Sequence, residues 1–145
     1  MSEFLTPLKM MVLRSRTLTK RPLYQLTAPL VYYSDLLARE ITVPAGAKTD
    51  LASIPYLPVL WLAFGDTAQY ASVIHDHVYR SGGMVDGLNI YITKAEADEI
   101  FEEAMQVHVR IPGTDVDDPP VPWLPRKVMF SGVRVGGNYP VWEVS

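Results

Sequence analysis

Val73-Ile74-His75-Asp76-His77-Val78-Tyr79 places titratable side chains inside a run that otherwise reads as a buried helix. At about 3.6 residues per turn, a helix over Tyr70–Arg80 gathers Tyr70, Ala71, Val73, Ile74 and Val78 on one broad apolar stripe, with His77 inside it. Ser72, His75, Asp76 and Tyr79 fall together on the other side, where Tyr79 is within reach of both His75 and Asp76. A polar helix face is ordinarily a wet one. Wet faces are built from Lys and Glu, whereas this one is short and histidine-rich, so it is a candidate for chemistry.

The next helix offers a partner. Thr93–Val107 reads as helical, with Thr93 and Glu96 in the order of a capping box. Its apolar face holds Ala97, Ile100, Phe101, Ala104 and Met105, while Glu96, Glu99, Glu102 and Glu103 gather on the opposite, solvated side. Asp98 joins neither group. It lies beside Phe101 and Met105 at the edge of the buried face, where a carboxylate costs free energy unless it is paired or hydrogen-bonded. The preceding helix carries the only nearby histidine-rich surface, so Asp98 is placed against His75. The loop Ser81–Ile92, with Gly82, Gly83 and Gly87, suits two helices that turn back on each other.

An acid oriented on one imidazole nitrogen fixes the tautomer and leaves the other nitrogen to act as a general base. The candidate catalytic residues are therefore His75, Asp98 and Tyr79, the last as a brace that hydrogen-bonds Asp98 or Asp76. Asp76 points elsewhere and is a candidate ligand for a metal ion or a water. The competing reading makes His75 and Asp98 a structural staple between helices, since ion-pair networks perturb pKa values without doing chemistry. His77 points nearly opposite to His75, so it reads as a hydrogen-bonded core residue and not as a second ligand. His108, in the last turn of its helix, is expected to answer the dipole there.

Upstream, Lys9–Leu18 and Leu23–Tyr33 are rich in β-branched and aromatic residues and are separated by a turn at Thr19-Lys20-Arg21-Pro22. Glu40–Val43 alternates as a further strand that stops at Pro44 and Gly46. The first third is thus a small antiparallel sheet. Thr49-Asp50-Leu51-Ala52-Ser53-Ile54-Pro55 reads mainly as a cap or tight turn. Asp50 is in addition a candidate metal ligand, because it leaves the sheet just before the helical half. Tyr56–Phe64 is apolar enough to be core, or else a lipid-facing or partner-facing surface. Downstream, Ile111–Pro125 is proline-rich with Asp115, Asp117 and Asp118 between the prolines, and reads as an extended, solvated loop whose Trp123 packs back on the core or anchors a partner. Arg126–Val135 reads as a third helix that Gly136-Gly137-Asn138 ends, and Tyr139–Val144 as an edge strand or docking tail.

The predicted fold class is α+β: a small N-terminal antiparallel β-sheet packed against an antiparallel helix pair, with a third C-terminal helix. At 145 residues the chain fits a single domain over residues 1–145, β-rich over 1–50, helical over 51–136, with a tail over 137–145. A net charge of −3 gives no electrostatic footprint for nucleic acid, which is excluded as a partner. With Cys absent there are no disulfides or thiolate sites, and zinc would have to rely on His and carboxylates. No apolar run is long enough for a transmembrane segment, and Met1–Leu13 lacks the core and cleavage site of a signal peptide.

Thr49–Pro55 (TDLASIP), His75–Tyr79 (HDHVY) and the AD-x-x-F of Ala97–Phe101 resemble an uncharacterised phage and prophage family, domain-of-unknown-function family 1353, from Phe4 through the helix that carries Phe130. That resemblance implies phage origin and no particular activity. Separately, His75-Asp76-x-x-Tyr79, Asn89-x-Tyr91 and Ala97-Asp98-x-x-Phe101 are similar to the catalytic core of viral-type phospholipases A2. This implies that His75 activates water, that Asp76 binds calcium and that Asp98 orients His75. Those enzymes draw further calcium ligands from a glycine-rich loop upstream. The stretches available here, Pro44–Asp50 and Phe64-Gly65-Asp66, match it poorly.

Two expectations follow. One is an envelope-directed hydrolase of a phospholipid ester or peptidoglycan bond, with calcium or zinc as the candidate cofactor at Asp76 and Asp50. The other is a non-catalytic structural, tail or assembly component. Other phage virion proteins and a component of the bacterial envelope are the expected partners, in the phage particle or the host cytoplasm.

Overall fold

The β-branched and aromatic residues of the first fifty positions form antiparallel strands, and the two periodic segments that follow form helices. The computed structural model describes residues 1–15, 17, 22–51, 65–81, 84–85 and 90–136. Strands β1 (Glu3–Phe4), β4 (Leu30–Ser34) and β5 (Arg39–Val43) make one antiparallel sheet in the order β1-β4-β5. Strands β2 (Met10–Arg14), β3 (Leu23–Leu26) and β6 (Lys48–Thr49) make another in the order β2-β3-β6. In β4 and β5 the period-2 pattern puts Leu30 opposite Val43 and Tyr32 opposite Ile41, and all four are buried.

The β-rich part is thus two small sheets, and Leu23–Tyr33 is not one strand. Pro29 has no N–H to give to a ladder, and the Thr27 N–H is spent on the Lys9 carbonyl at 2.9 Å, so the chain changes partners between Leu26 and Leu30. The described part of the first expected strand, Lys9–Leu18, is strand only over Met10–Arg14.

Helix α1 (Gly65–Arg80) starts five residues before Tyr70. Tyr70, Ala71, Val73, Ile74 and Val78 are buried as the stripe requires, but so are Ser72, His75, Asp76 and Tyr79. A helix buried on both sides is a core helix. This one packs against α2 (Lys94–Met105) and against β5 and β6. Each of Val73, Ile74 and Val78 contributes about 1.5–3 kcal/mol by leaving water. The short strands β7 (Met84–Val85) and β8 (Ile90–Tyr91) pair between the two helices. The predicted capping box is present: Thr93 Oγ1 accepts from the Glu96 N–H at 3.1 Å, and Glu96 Oε1 accepts from the Thr93 N–H at 3.0 Å.

Three further expectations need correction. Ile111–Pro125 is largely exposed, as expected, but it is not an unstructured linker: β9 (Val109–Arg110) and β10 (Asp117–Asp118) form a hairpin, and Ile111 and Val121 are buried with Val109 just before them. Gly113, at φ +77°, makes its turn. Helix α3 (Trp123–Gly136) begins three residues before Arg126, because Pro125 sits in the first turn, where its missing N–H costs nothing. Nor do all the α2 glutamates face water. Glu103 Oε1 accepts from the Tyr32 hydroxyl at 2.5 Å and Oε2 from the Leu36 N–H at 3.0 Å, while Glu102 pairs with Lys127.

One buried cluster runs from Phe4, Leu30, Tyr32 and Ile41 of the strands through Ile74 and Phe101 to Met129 of α3. No helix among the described residues is long and apolar enough to cross a membrane. Thr19-Lys20-Arg21 of the expected turn, Ala52–Phe64, the loop glycines Gly82, Gly83 and Gly87, Asn89, and the tail from Gly137 lie outside what is described.

Candidate functional site

Helices α1 and α2 meet in the order Tyr79 with Asp98 and His75 with Phe101, which is the order of antiparallel helices. Asp98 Oδ1 lies 2.9 Å from His75 Nε2 and accepts the Tyr79 hydroxyl at 2.5 Å, while Oδ2 accepts from Lys94 Nζ at 3.2 Å. The three predicted catalytic residues therefore converge, across 23 positions of sequence between His75 and Asp98. The His75 ring is held by Tyr79, at 4.1 Å between centroids, and by Phe101, at 4.9 Å.

Electrostatics fix the protonation pattern. Burial pushes the Asp98 carboxyl up, but the hydrogen bonds from His75, Tyr79 and Lys94 more than offset it and hold the group below the usual carboxylate range. An ionised carboxylate only accepts, so Nε2 of His75 carries the proton and Nδ1 is the basic nitrogen. Burial is also the largest influence on His75. It pulls the imidazole below its ordinary value against the pull of Asp98 and Asp76, and so keeps the ring neutral. A neutral imidazole, tautomer-locked by an anion, is the resting state a general base requires.

The two candidate metal ligands lie together in a different arrangement. Asp76 Oδ1 and Oδ2 sit 3.1 and 3.2 Å from Arg80 Nε, and Asp50 Oδ1 sits 3.6 Å from the outer nitrogen of the same guanidinium. Burial raises the Asp76 carboxyl and Asp50 adds to that, while a hydrogen bond to Thr49 and the charge of Arg80 oppose it. A guanidinium thus joins the two acids. Among the described residues no group of three or more His, Cys, Asp or Glu side chains is arranged to hold a metal ion. Calcium asks for six to eight oxygens and zinc for about four ligands, so these two acids alone do not fit either ion.

Lys94, Arg80 and Thr49 were missed by sequence reasoning. Lys94 and Arg80 were readable in principle, because each stands four residues along a helix from its acid. Thr49 comes from β6 and has no local signal. His108 does not answer a helix dipole: α2 ends at Met105, and His108 Nε2 pairs with Asp117 across the β9–β10 hairpin. His77 is only partly buried, and desolvation lowers its pKa. Trp123, 63% exposed, does not pack back on the core.

Fold and site together define an α+β protein whose two central helices enclose a His-Asp-Tyr cluster. Residues 24–133 match the family described as protein of unknown function (DUF1353), and the chain belongs to that family. No curated protein and no solved structure matches it.

Proposed function

We propose that the chain is a phage-encoded, virion-associated hydrolase directed at the bacterial envelope, cleaving a phospholipid ester or a peptidoglycan bond with His75 as general base. One observation carries the reading. Asp98 Oδ1 receives both His75 Nε2 and the Tyr79 hydroxyl, which sets the ring's tautomer and its orientation at once. In the reaction, Nδ1 of His75 takes a proton from water as the water oxygen attacks the carbonyl carbon. The imidazolium, stabilised by Asp98, then returns the proton to the leaving group. The likeness of His75-Asp76-x-x-Tyr79 and Ala97-Asp98-x-x-Phe101 to phospholipases A2 favours an ester. The phage and virion assignment rests on the family resemblance of the three motifs. No step is routed through a metal. If calcium or zinc binds, Asp76 and Asp50 are its ligands and Arg80 must give way, so calorimetric binding is lost in Asp76→Asn.

A second reading is favoured by a specific observation: Asp98 is fully buried, with donors on both oxygens, as a structural staple requires. The experiment that separates the two measures hydrolysis of phosphatidylglycerol vesicles and of purified peptidoglycan by the parent and by His75→Gln. Loss of about 10²–10⁴-fold in a variant that remains folded supports catalysis. Equal activity in folded His75→Gln, or no hydrolysis of either substrate by the parent, leaves the staple.

A further inference from the structure

We infer that strand β2 and its flanking cations form a membrane-docking ribbon that engages an anionic lipid surface. Met11, Val12 and Leu13 are 48%, 59% and 40% exposed, three consecutive large apolar residues, whereas β4 and β5 bury theirs on one face. Consecutive strand residues point to opposite faces, so partial exposure of all three leaves apolar surface on both sides of the ribbon, with Val12 at the rim of a cleft that Tyr24, Tyr70 and Asp115–Asp118 also line. Among the described residues β2 is also the edge of its sheet, paired only with β3, and the register slips between Val12 and Arg14. Natural edges are usually blunted with charge or proline, whereas this one displays aliphatic side chains.

Charge is segregated to the same stretch. Residues 4–34 contain Lys9, Arg14, Arg16, Lys20 and Arg21, five of the 13 basic residues, and none of the 16 acidic ones. That segment therefore carries +5 and the remainder −8, against −3 for the whole chain. Exposed Lys9 and Arg14 bracket the aliphatic run, so their stems can lie along apolar surface while their heads meet phosphate.

The combination selects the partner. A flat protein surface covers one face of a ribbon, but the headgroup and acyl boundary of a bilayer surrounds both. Nucleic acid would use the cations and leave Met11, Val12 and Leu13 in water. Apolar insertion together with attraction to anionic headgroups supplies the two contributions that stable interfacial binding needs. The inference is independent of whether His75 is catalytic.

Flotation with vesicles of phosphatidylcholine, alone or with roughly one-third phosphatidylglycerol, tests it. The full chain is expected to bind the anionic vesicles at least about tenfold more strongly, and to lose that preference as salt is raised to about 0.5 M. Met11→Ser with Val12→Ser and Leu13→Ser is expected to abolish binding, Lys9→Glu with Arg14→Glu to weaken it about tenfold or more, and His75→Gln to leave it unchanged. Because these positions lie outside the core, circular dichroism melts should match the parent. The inference is overturned if the parent binds neither vesicle, binds both equally, or binds undiminished in the triple variant. Self-association or retention of duplex DNA without vesicle binding overturns it equally.

Discussion

Among the described residues there are two His–Asp pairs of the same composition in opposite surroundings. His75 and Asp98 join two helices, with side chains 4% and 0% exposed, whereas His108 and Asp117 face each other across a surface hairpin at 38% and 65%. The surface pair also meets Arg110, whose Nε lies 3.1 Å from His108 Nε2 and 3.5 Å from Asp117 Oδ1. Each pair holds its carboxylate below the usual range, Asp117 chiefly through its bond to His108. In the interior, burial also drives the His75 imidazole down, against the pull of Asp98 and Asp76. Contact with an acid by itself raises an imidazole's pKa. A neutral ring beside an ionised carboxylate requires the low-dielectric interior as well, and that is why the buried pair and not the surface one is the candidate general base.

The largest test of the contrast removes each acid in turn. Asp98→Ala strips an acceptor from three buried or half-buried donors and should destabilise the protein by about 3 kcal/mol. Asp117→Ala should leave the urea midpoint where it is, since solvent and salt already screen that pair. Equal midpoints for the two variants would mean that the interior pair contributes nothing to stability that the surface pair lacks.

Acid titration sharpens the same point. His75 is held below 6.5 in the folded protein, so as pH falls through 6.5 the unfolded chain takes up its proton first. Stability therefore declines from there until the folded ring protonates. His77, lowered by its own desolvation, adds to the decline in the same window. Asp76, raised above 3.8, acts with the opposite sign between 3.8 and its folded value. Asp98, lowered, removes stability again below 3.8. Melts between pH 8 and 5 should thus fall with acid in the parent and fall less in His75→Gln. A slope unchanged by His75→Gln would mean that the imidazole is not held neutral by burial.

What the sequence disclosed follows from how local each signal was. The stripe of α1, the capping box of α2 and the misfit Asp98 are set by helical spacing, and from them the His75–Asp98 contact was legible. The polar side of α1 was harder, because the β5 and β6 strands that cover it lie some twenty to forty residues upstream, and no helical period reports a neighbour from another element. The same limit hid Thr49 beside Asp76 and Glu103 beneath the Tyr32 hydroxyl. In Ile111–Pro125 the prolines suggested an extended linker, yet two-residue strands and buried Val109, Ile111 and Val121 were enough for a hairpin. Strands that short leave no period to read.

The smallest expected effect concerns Lys94, which stands at the edge between the two regimes at 27% exposure. Its ammonium reaches Asp98 Oδ2 from one turn away, in the less favourable Lys-before-acid orientation, so Lys94→Met should cost only about 0.5 kcal/mol. Its influence on the imidazole is of a different kind. The Lys94 charge opposes protonation of His75, so its removal should raise the folded pKa of that ring and shorten the pH window in which stability is lost. Titration of the His75 ring protons by NMR reads this directly. If His75 titrates identically in Lys94→Met, the lysine is only a surface partner of Asp98, and the neutrality of the ring rests on burial alone.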